Sequence, residues 1–210
     1  MEKDLEQKLI TLEKKYGGLQ QNIIRNVKSS HEKNYYTTHQ GGDRMKSKYH
    51  NYASHYAKFM MPLVGKQINL AEVGILNGIG LSIWSDVFDN SKIFGFDIDV
   101  DIFHNNFKKL KSLDAFQNNS PVILEFDQFL DNKDYIKKNI KEDKFQIVID
   151  DGCHQNIPII NTFESFLPYL ADDFVYFIED NTNVYKHFID KYPNFEIFYK
   201  DQMTIITPKR

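Results

Sequence analysis

Two short acidic segments hold the residues best suited to chemistry. Asp150-Asp151-Gly152-Cys153-His154 follows an apolar run at 145–149, and Glu179-Asp180-Asn181 follows another at 174–178. Carboxylates and an imidazole placed directly after buried strands are costly unless they are solvated, paired or metal-bound. Three or four oxygens converging from two such loops suit a hard divalent cation such as Mg2+, with water or a substrate completing the sphere. A substrate hydroxyl bound to that ion becomes more acidic, and His154, neutral near pH 7, is placed to take its proton. The competing reading leaves the carboxylates as solvated loop residues and His154 as an ordinary surface histidine.

A glycine-rich turn supplies a second candidate. Ala71-Glu72-Val73-Gly74-Ile75-Leu76-Asn77-Gly78-Ile79-Gly80-Leu81-Ser82 joins the apolar run at 68–73 to a helix expected to begin near Ser82, which can cap it. Glycines there allow positive φ and let a ligand lie against bare backbone. The dinucleotide fingerprint is G-x-G-x-x-G, whereas Gly74, Gly78 and Gly80 are more widely spaced and follow a carboxylate. Glu72 repels a diphosphate and suits a cofactor that brings positive charge, such as the amino group and sulfonium of S-adenosylmethionine.

Asp97 ends the next run, at 93–96, where it can accept hydrogen bonds from ribose hydroxyls of either cofactor type. Asp127-Gln128, after the run at 122–126, reads equally as an adenine contact or as a polar strand exit. The candidate cofactor residues are therefore Glu72, Gly74, Asn77, Gly78, Gly80, Ser82, Asp97, Asp127 and Gln128. Without a ligand, the glycines make a tight strand-to-helix turn and nothing more.

The five apolar runs alternate with helical segments, as expected for a parallel sheet with helices on both faces. Two further runs, 195–199 and 203–207, flank Asp201-Gln202 and read as an antiparallel hairpin. The fold predicted is α/β and Rossmann-like, a seven-stranded sheet of five parallel strands plus the C-terminal hairpin. Ligands of such sheets bind outside the carboxyl ends of the strands, where the acidic residues collect.

Residues 49–210 are expected to form this unit, and residues 1–48 N-terminal helices and a lid-like loop, all in one compact body. Leu5, Leu9, Leu12 and Tyr16 recur at helical spacing before Gly17-Gly18. That stripe can cap the domain or make a homo-oligomer with a second copy. Leu19, Ile23, Ile24 and Val27 form a second apolar series, followed by a polar stretch to Asp43. His50 and His55, five apart, are a poor match to one helical face, and His31 and His39 fall in the polar stretch, so none is expected to ligate metal.

At 210 residues the chain suits one core, and its net charge of -3 is interspersed, against a nucleic-acid partner. No apolar stretch is long enough to span a membrane and Met1-Glu2-Lys3-Asp4 does not start a secretory signal, so a cytoplasmic protein is expected. The lone Cys153 excludes an intramolecular disulfide and reads as a small filler.

These motifs resemble the class I S-adenosylmethionine-dependent methyltransferases, and among them the metal-dependent sugar O-methyltransferases of the mycinamicin and macrocin type, over roughly residues 41–185. The family's Gly-Thr-Asp-Lys-like and His-x-Tyr elements are matched by Gly41-Gly42-Asp43-Arg44 and His50-Asn51-Tyr52, with Gly42 in place of Thr. Ile-Asp-Asp-Gly-Ser-His is matched by Ile149-Asp150-Asp151-Gly152-Cys153-His154, with Cys153 in place of Ser, and Ile-Glu-Asp by Ile178-Glu179-Asp180.

The resemblance implies methyl transfer to a hydroxyl of a sugar-like acceptor, for instance in a capsule or nucleotide-linked glycan. It implies cofactor contacts at Glu72, the glycine turn, Asp97 and Asp127-Gln128. It also implies metal ligands at Asp151, Glu179 and Asp180, and a general base at His154 beside catalytic Asp151. Two alternatives use the same sheet: a nicotinamide (NAD)-dependent oxidoreductase, and a catalytically silent Rossmann-like scaffold.

Overall fold

Helix α1 (Glu2–Tyr16) opens the chain, and its Leu5, Leu9, Leu12 and Tyr16 are all buried. The structure, a computed structural model, describes residues 1–17, 20–24, 36–40, 44–47, 50–140 and 144–209. After α1 come β1 (Gln20–Ile24) and β2 (Tyr36–Gln40), an antiparallel ribbon with Gln20 opposite Gln40 and Ile24 opposite Tyr36. A second N-terminal helix expected over the series from Leu19 to Val27 is thus replaced in part by a strand. In register Ile23 lies opposite Thr37 and Ile24 opposite Tyr36, all β-favouring residue types, and strand pairing overrides the helical spacing. Leu19, Val27, His31, Gly41, Gly42, Asp43 and Tyr49 lie outside the described residues.

The rest of the chain alternates as expected: α2 (Tyr52–Met60), β3 (Asn69–Val73), α3 (Ile79–Val87), β4 (Lys92–Asp97), α4 (Asp101–Ser112), β5 (Val122–Glu125) and α5 (Lys133–Ile140). Then follow β6 (Phe145–Asp150), α6 (Asn156–Phe166), β7 (Leu170–Ile178), α7 (Val184–Lys191), β8 (Phe195–Lys200) and β9 (Met203–Pro208). The seven-stranded sheet has the order β5-β4-β3-β6-β7-β9-β8, parallel from β5 to β7, with β9 antiparallel to both neighbours. Strand order reverses between β3 and β6, the crevice where ligands of open α/β sheets bind.

Side chains of one strand alternate between two cores. Leu70, Ile147 and Ile149 face the layer that contains α1, α2 and α3, while Ala71, Val73 and Val148 face the layer with α5, α6 and α7. Because α1 packs on α2 and α3, its apolar stripe is consumed within the chain. The face considered for pairing with a second copy is therefore already covered.

Register levels the carboxyl ends. Val73 lies opposite both Phe96 and Asp150, and Asp150 lies opposite Ile178. Glu72, Asp97, Asp150 and Glu179 are thereby brought to one edge. The helix expected near Ser82 starts earlier, at Ile79, because Gly78 takes a left-handed conformation (φ 83°) and turns the chain into α3 at once. Ser82 does not cap that helix: it is fully buried one turn inside, where its Oγ donates to the Gly78 carbonyl at 2.9 Å.

Candidate active site

The loop after β6 is pinned by its own backbone, with the Asp151 amide donating to the Val73 carbonyl at 2.8 Å and the Glu179 amide to the Asp150 carbonyl at 2.9 Å. These bonds bring the two acidic loops side by side. One ligand atom from each of Asp151, His154 and Asp180 lies within 4.8 Å of the others. The two carboxylates, each partly exposed, offer hard oxygens that suit a divalent cation with open coordination positions, and the exposed His154 ring stands beside them.

Asp180 itself has φ 54°, a left-handed conformation that Asp tolerates better than most residues. The Tyr52 hydroxyl donates to its Oδ1 at 2.6 Å, and His50 Nε2 stands 3.3 Å from the same oxygen, its ring stacked on Tyr52 at 4.8 Å. His50, set aside on helical spacing, therefore borders the acidic cluster. It precedes α2 instead of sharing a face with His55, which pairs with Asp201 at 2.8 Å.

Asn181 ties the two loops together. Its Nδ2 donates to the His154 carbonyl at 2.8 Å and to Asn156 Oδ1 at 3.0 Å. Its Oδ1 accepts the amides of Asn183 at 2.8 Å and Val184 at 2.7 Å, where α7 begins. His154 is itself exposed, and this tie to its carbonyl joins its loop to the end of β7 in addition to the backbone bonds above.

Glu179 is turned inward, 1% exposed, toward a residue that spacing alone did not single out. Arg44 donates from Nε to both Glu179 oxygens at 2.9 and 3.0 Å and from Nη1 to Glu72 Oε1 at 2.7 Å, and its Nη2 stands 3.7 Å from Asp151 Oδ2. The Tyr56 hydroxyl also donates to Glu179. Glu13 of α1 fixes the segment by accepting the backbone amides of Arg44 and Met45 at 3.0 Å.

Burial pushes the Glu72 carboxyl above its ordinary range, against the pull of Arg44. Burial, with Glu179 close by, holds Asp151 well above its range, Arg44 again opposing. Burial alone would lower the Arg44 guanidinium, but Glu179, Tyr56, Asp151 and Glu72 hold it well above its usual value. Asp150, buried and only partly relieved by Gln128 and the Gly152 amide, is raised to about 7.

A cleft beside these carboxylates is lined by Gly74, Asp97, Phe126, Gln128, Gly152 and Cys153 among others. Asp97 accepts the amides of Leu76 at 2.9 Å and Asp99 at 3.0 Å, which shapes the turn around the cleft. Gln128 holds the cleft wall: its Nε2 donates to Asp150 Oδ1 at 2.8 Å and Thr162 Oγ1 at 2.9 Å, and its Oε1 accepts the Cys153 amide at 2.6 Å. Asp127 instead closes its own turn, accepting the Phe129 amide at 2.9 Å.

The glycines divide by task. A Cβ on Gly74 would stand 2.5 Å from the Asp151 carbonyl carbon, so this glycine lets the two strand-end loops touch. A Cβ on Gly80 would stand 2.6 Å from Arg44 Nη1 and closer still to Glu72 Oε1, so the pair packs on bare backbone of α3. Gly78 lies against the Phe103 ring, and buried Asn77 accepts from Asn106 Nδ2 at 2.7 Å through its carbonyl, so both build the turn. Glu72 also has the Trp84 indole N–H close by, which favours its carboxylate form.

No family model matches the chain. It is 27% identical over 143 residues to the mycinamicin VI 2''-O-methyltransferase of Micromonospora griseorubida, covering 65% of this chain and 33% of the relative. It is 25% identical over 144 residues to the L-olivosyl-oleandolide 3-O-methyltransferase of Streptomyces antibioticus, covering 65% and 34%. The chain thus spans about a third of the length of the curated relatives it matches.

Among solved structures, the MycE methyltransferase of the mycinamycin biosynthetic pathway, in complex with Mg and SAH, matches with TM-score 0.62 at 19% identity, over 79% of this chain and 51% of that one. An rRNA methylase from Streptococcus thermophilus matches with TM-score 0.53 at 11% identity, over 73% and 93%. The fold is the class I methyltransferase fold, and in sequence the chain resembles O-methyltransferases of the mycinamicin and macrocin type. Since an rRNA methylase shares the fold, the fold by itself does not choose the acceptor.

Proposed function

We propose that this chain transfers a methyl group from S-adenosylmethionine to a hydroxyl of a sugar-like acceptor, with a divalent cation, Mg2+ by the nature of its ligands, beside His154. The observation that carries this reading is the grouping of Asp151, His154 and Asp180 within 4.8 Å, at the switch in strand order and next to the Asp97 cleft. The sequence likeness to glycoside O-methyltransferases supports the acceptor class.

When bound, the cofactor supplies the electrophilic methyl group and the cation lowers the pKa of the acceptor hydroxyl. Asp151 and Asp180 hold the cation, and Tyr52 and His50 hold Asp180 in place. His154 would take the proton from the acceptor oxygen as that oxygen bonds to the methyl carbon and the methyl–sulfur bond of the cofactor breaks, with S-adenosylhomocysteine leaving. Glu72 faces the cofactor's ammonium, Asp97 its ribose hydroxyls, and Gln128 keeps the cleft wall in shape.

Calorimetric titration with S-adenosylhomocysteine, with NADH as the comparison in the same buffer, tests the cofactor. Micromolar binding of the first and none of the second is expected. NADH binding without S-adenosylhomocysteine binding overturns the reading. Transfer of labelled methyl to a panel of glycosides, with Mg2+ and then with chelator, tests the acceptor class and the cation; persistence under chelation removes the metal from the mechanism.

A further inference from the structure

We propose that Arg44 is an exchangeable internal cation, whose guanidinium stands between the carboxylates that the divalent cation and the cofactor's ammonium need, and so couples the binding of one ligand to the other. This rests on the function proposed above. The geometry is specific. One guanidinium, 15% exposed, bridges Glu72 and Glu179, each 1% exposed, and faces Asp151 at 3.7 Å.

Glu72 comes from the strand that carries the cofactor turn, while Glu179 and Asp151 come from the two acidic loops beside the metal-binding group. The carboxylates outnumber the guanidinium: Glu72, Glu179 and Asp151 share the one fixed positive charge of Arg44, so a further cation is matched to the cluster.

A divalent cation held by Asp151 draws that carboxylate away from Arg44, whose Nη2 stands 3.7 Å from it, and an ammonium at Glu72 must take the carboxylate that Nη1 holds. Loosening the guanidinium is unfavourable once, for whichever ligand arrives first; the second ligand then meets a site already released. Coupling of this kind is reciprocal, and it commonly amounts to about 5- to 150-fold in affinity. The freed guanidinium, with its planar fork of donors, is also matched to the cofactor's own carboxylate.

The test compares wild type, Arg44→Gln and Arg44→Lys by calorimetry with Mn2+ alone, S-adenosylhomocysteine alone, and each in the presence of the other. In wild type each ligand is expected to tighten the other about tenfold. In Arg44→Gln, Mn2+ alone should bind about tenfold more tightly than in wild type, and the mutual tightening should vanish. Lys keeps a charge but cannot bridge two carboxylates with a rigid fork, so Arg44→Lys should fold and show the same changes at smaller size.

Thermal melts report whether each variant is folded, and if Arg44→Gln is not, Arg44→Lys decides. Unchanged or weaker Mn2+ binding in a folded variant, with mutual tightening intact, overturns the proposal while leaving the proposed function standing. Failure of wild type to bind either ligand overturns both.

Discussion

Replacing Asn181 separates two jobs that its side chain performs at once. The Oδ1 atom accepts the amides of Asn183 and Val184 at the start of α7, and Nδ2 donates to the His154 carbonyl and to Asn156 Oδ1. Asn181→Ala removes all four bonds. Losing a helix-start acceptor costs about 1 kcal/mol, and losing two further part-buried bonds costs about 1 kcal/mol each, so a loss of about 3 kcal/mol is expected.

Asn181→Asp keeps an oxygen for the two amides, where negative charge is also favoured, but turns a second oxygen against the His154 carbonyl. Its expected loss is about 2 kcal/mol, all of it from the tie between loops. Urea denaturation at neutral pH should therefore rank wild type above Asp above Ala, with midpoints shifting and slopes constant. Both variants should lose methyl transfer at least tenfold in kcat, with little change in S-adenosylhomocysteine affinity. The reasoning is refuted if Ala lies within about 0.5 kcal/mol of wild type, the range of ordinary surface changes, or if Asp and Ala are equally unstable.

Gly80→Ala places a methyl group against the Glu72–Arg44 pair, and should destabilise by about 1–3 kcal/mol and weaken S-adenosylhomocysteine binding at least tenfold, read from melts with and without ligand. For Asp150 the folded pKa of about 7 stands above the ordinary 3.8, so the proton is bound more tightly in the folded state. Stability is therefore full below about pH 4 and falls as pH rises toward 7. About 3 units at 1.36 kcal/mol each gives about 4 kcal/mol; Asp150→Asn escapes this but buries an unpartnered amide hydrogen at a cost of about 2 kcal/mol, so it gains about 2 kcal/mol at pH 8 and loses about 2 kcal/mol at pH 4. Denaturant midpoints across that range check the sign. His154→Ala should lower kcat at least about a hundredfold while S-adenosylhomocysteine binding stays as in wild type; a kcat within threefold would remove the base.

The sheet and its acidic edge were legible because they depend on local signals: short apolar runs, helical spacing between them, and a carboxylate where each of four runs ends. Arg44 was not legible as a bridge. It follows the polar stretch as the last residue of the Gly41-Gly42-Asp43-Arg44 match, and only tertiary packing sets it between Glu72 and Glu179. Glu13 carries no signal in the Leu5, Leu9, Leu12 and Tyr16 spacing, yet it is 4% exposed and holds two backbone amides from another segment. Ser82 was misplaced because a left-handed Gly78 starts α3 early, a backbone event that the Gly-rich composition permits without specifying. His50 was judged by a helix that begins only after it.

The bonds of Arg44 reach 28 residues forward to Glu72 and 135 residues forward to Glu179. During synthesis, Glu13 and Arg44 emerge early, but the guanidinium meets Glu179, the carboxylate it holds by Nε, only after β7 has been made. Contacts of such separation close late, because the loop between them must be ordered first. A nascent chain that stops short of β7 therefore carries an unsatisfied arginine beside Glu72, and the order in which the polypeptide is made leaves completion of this charge cluster until nearly the whole sheet exists.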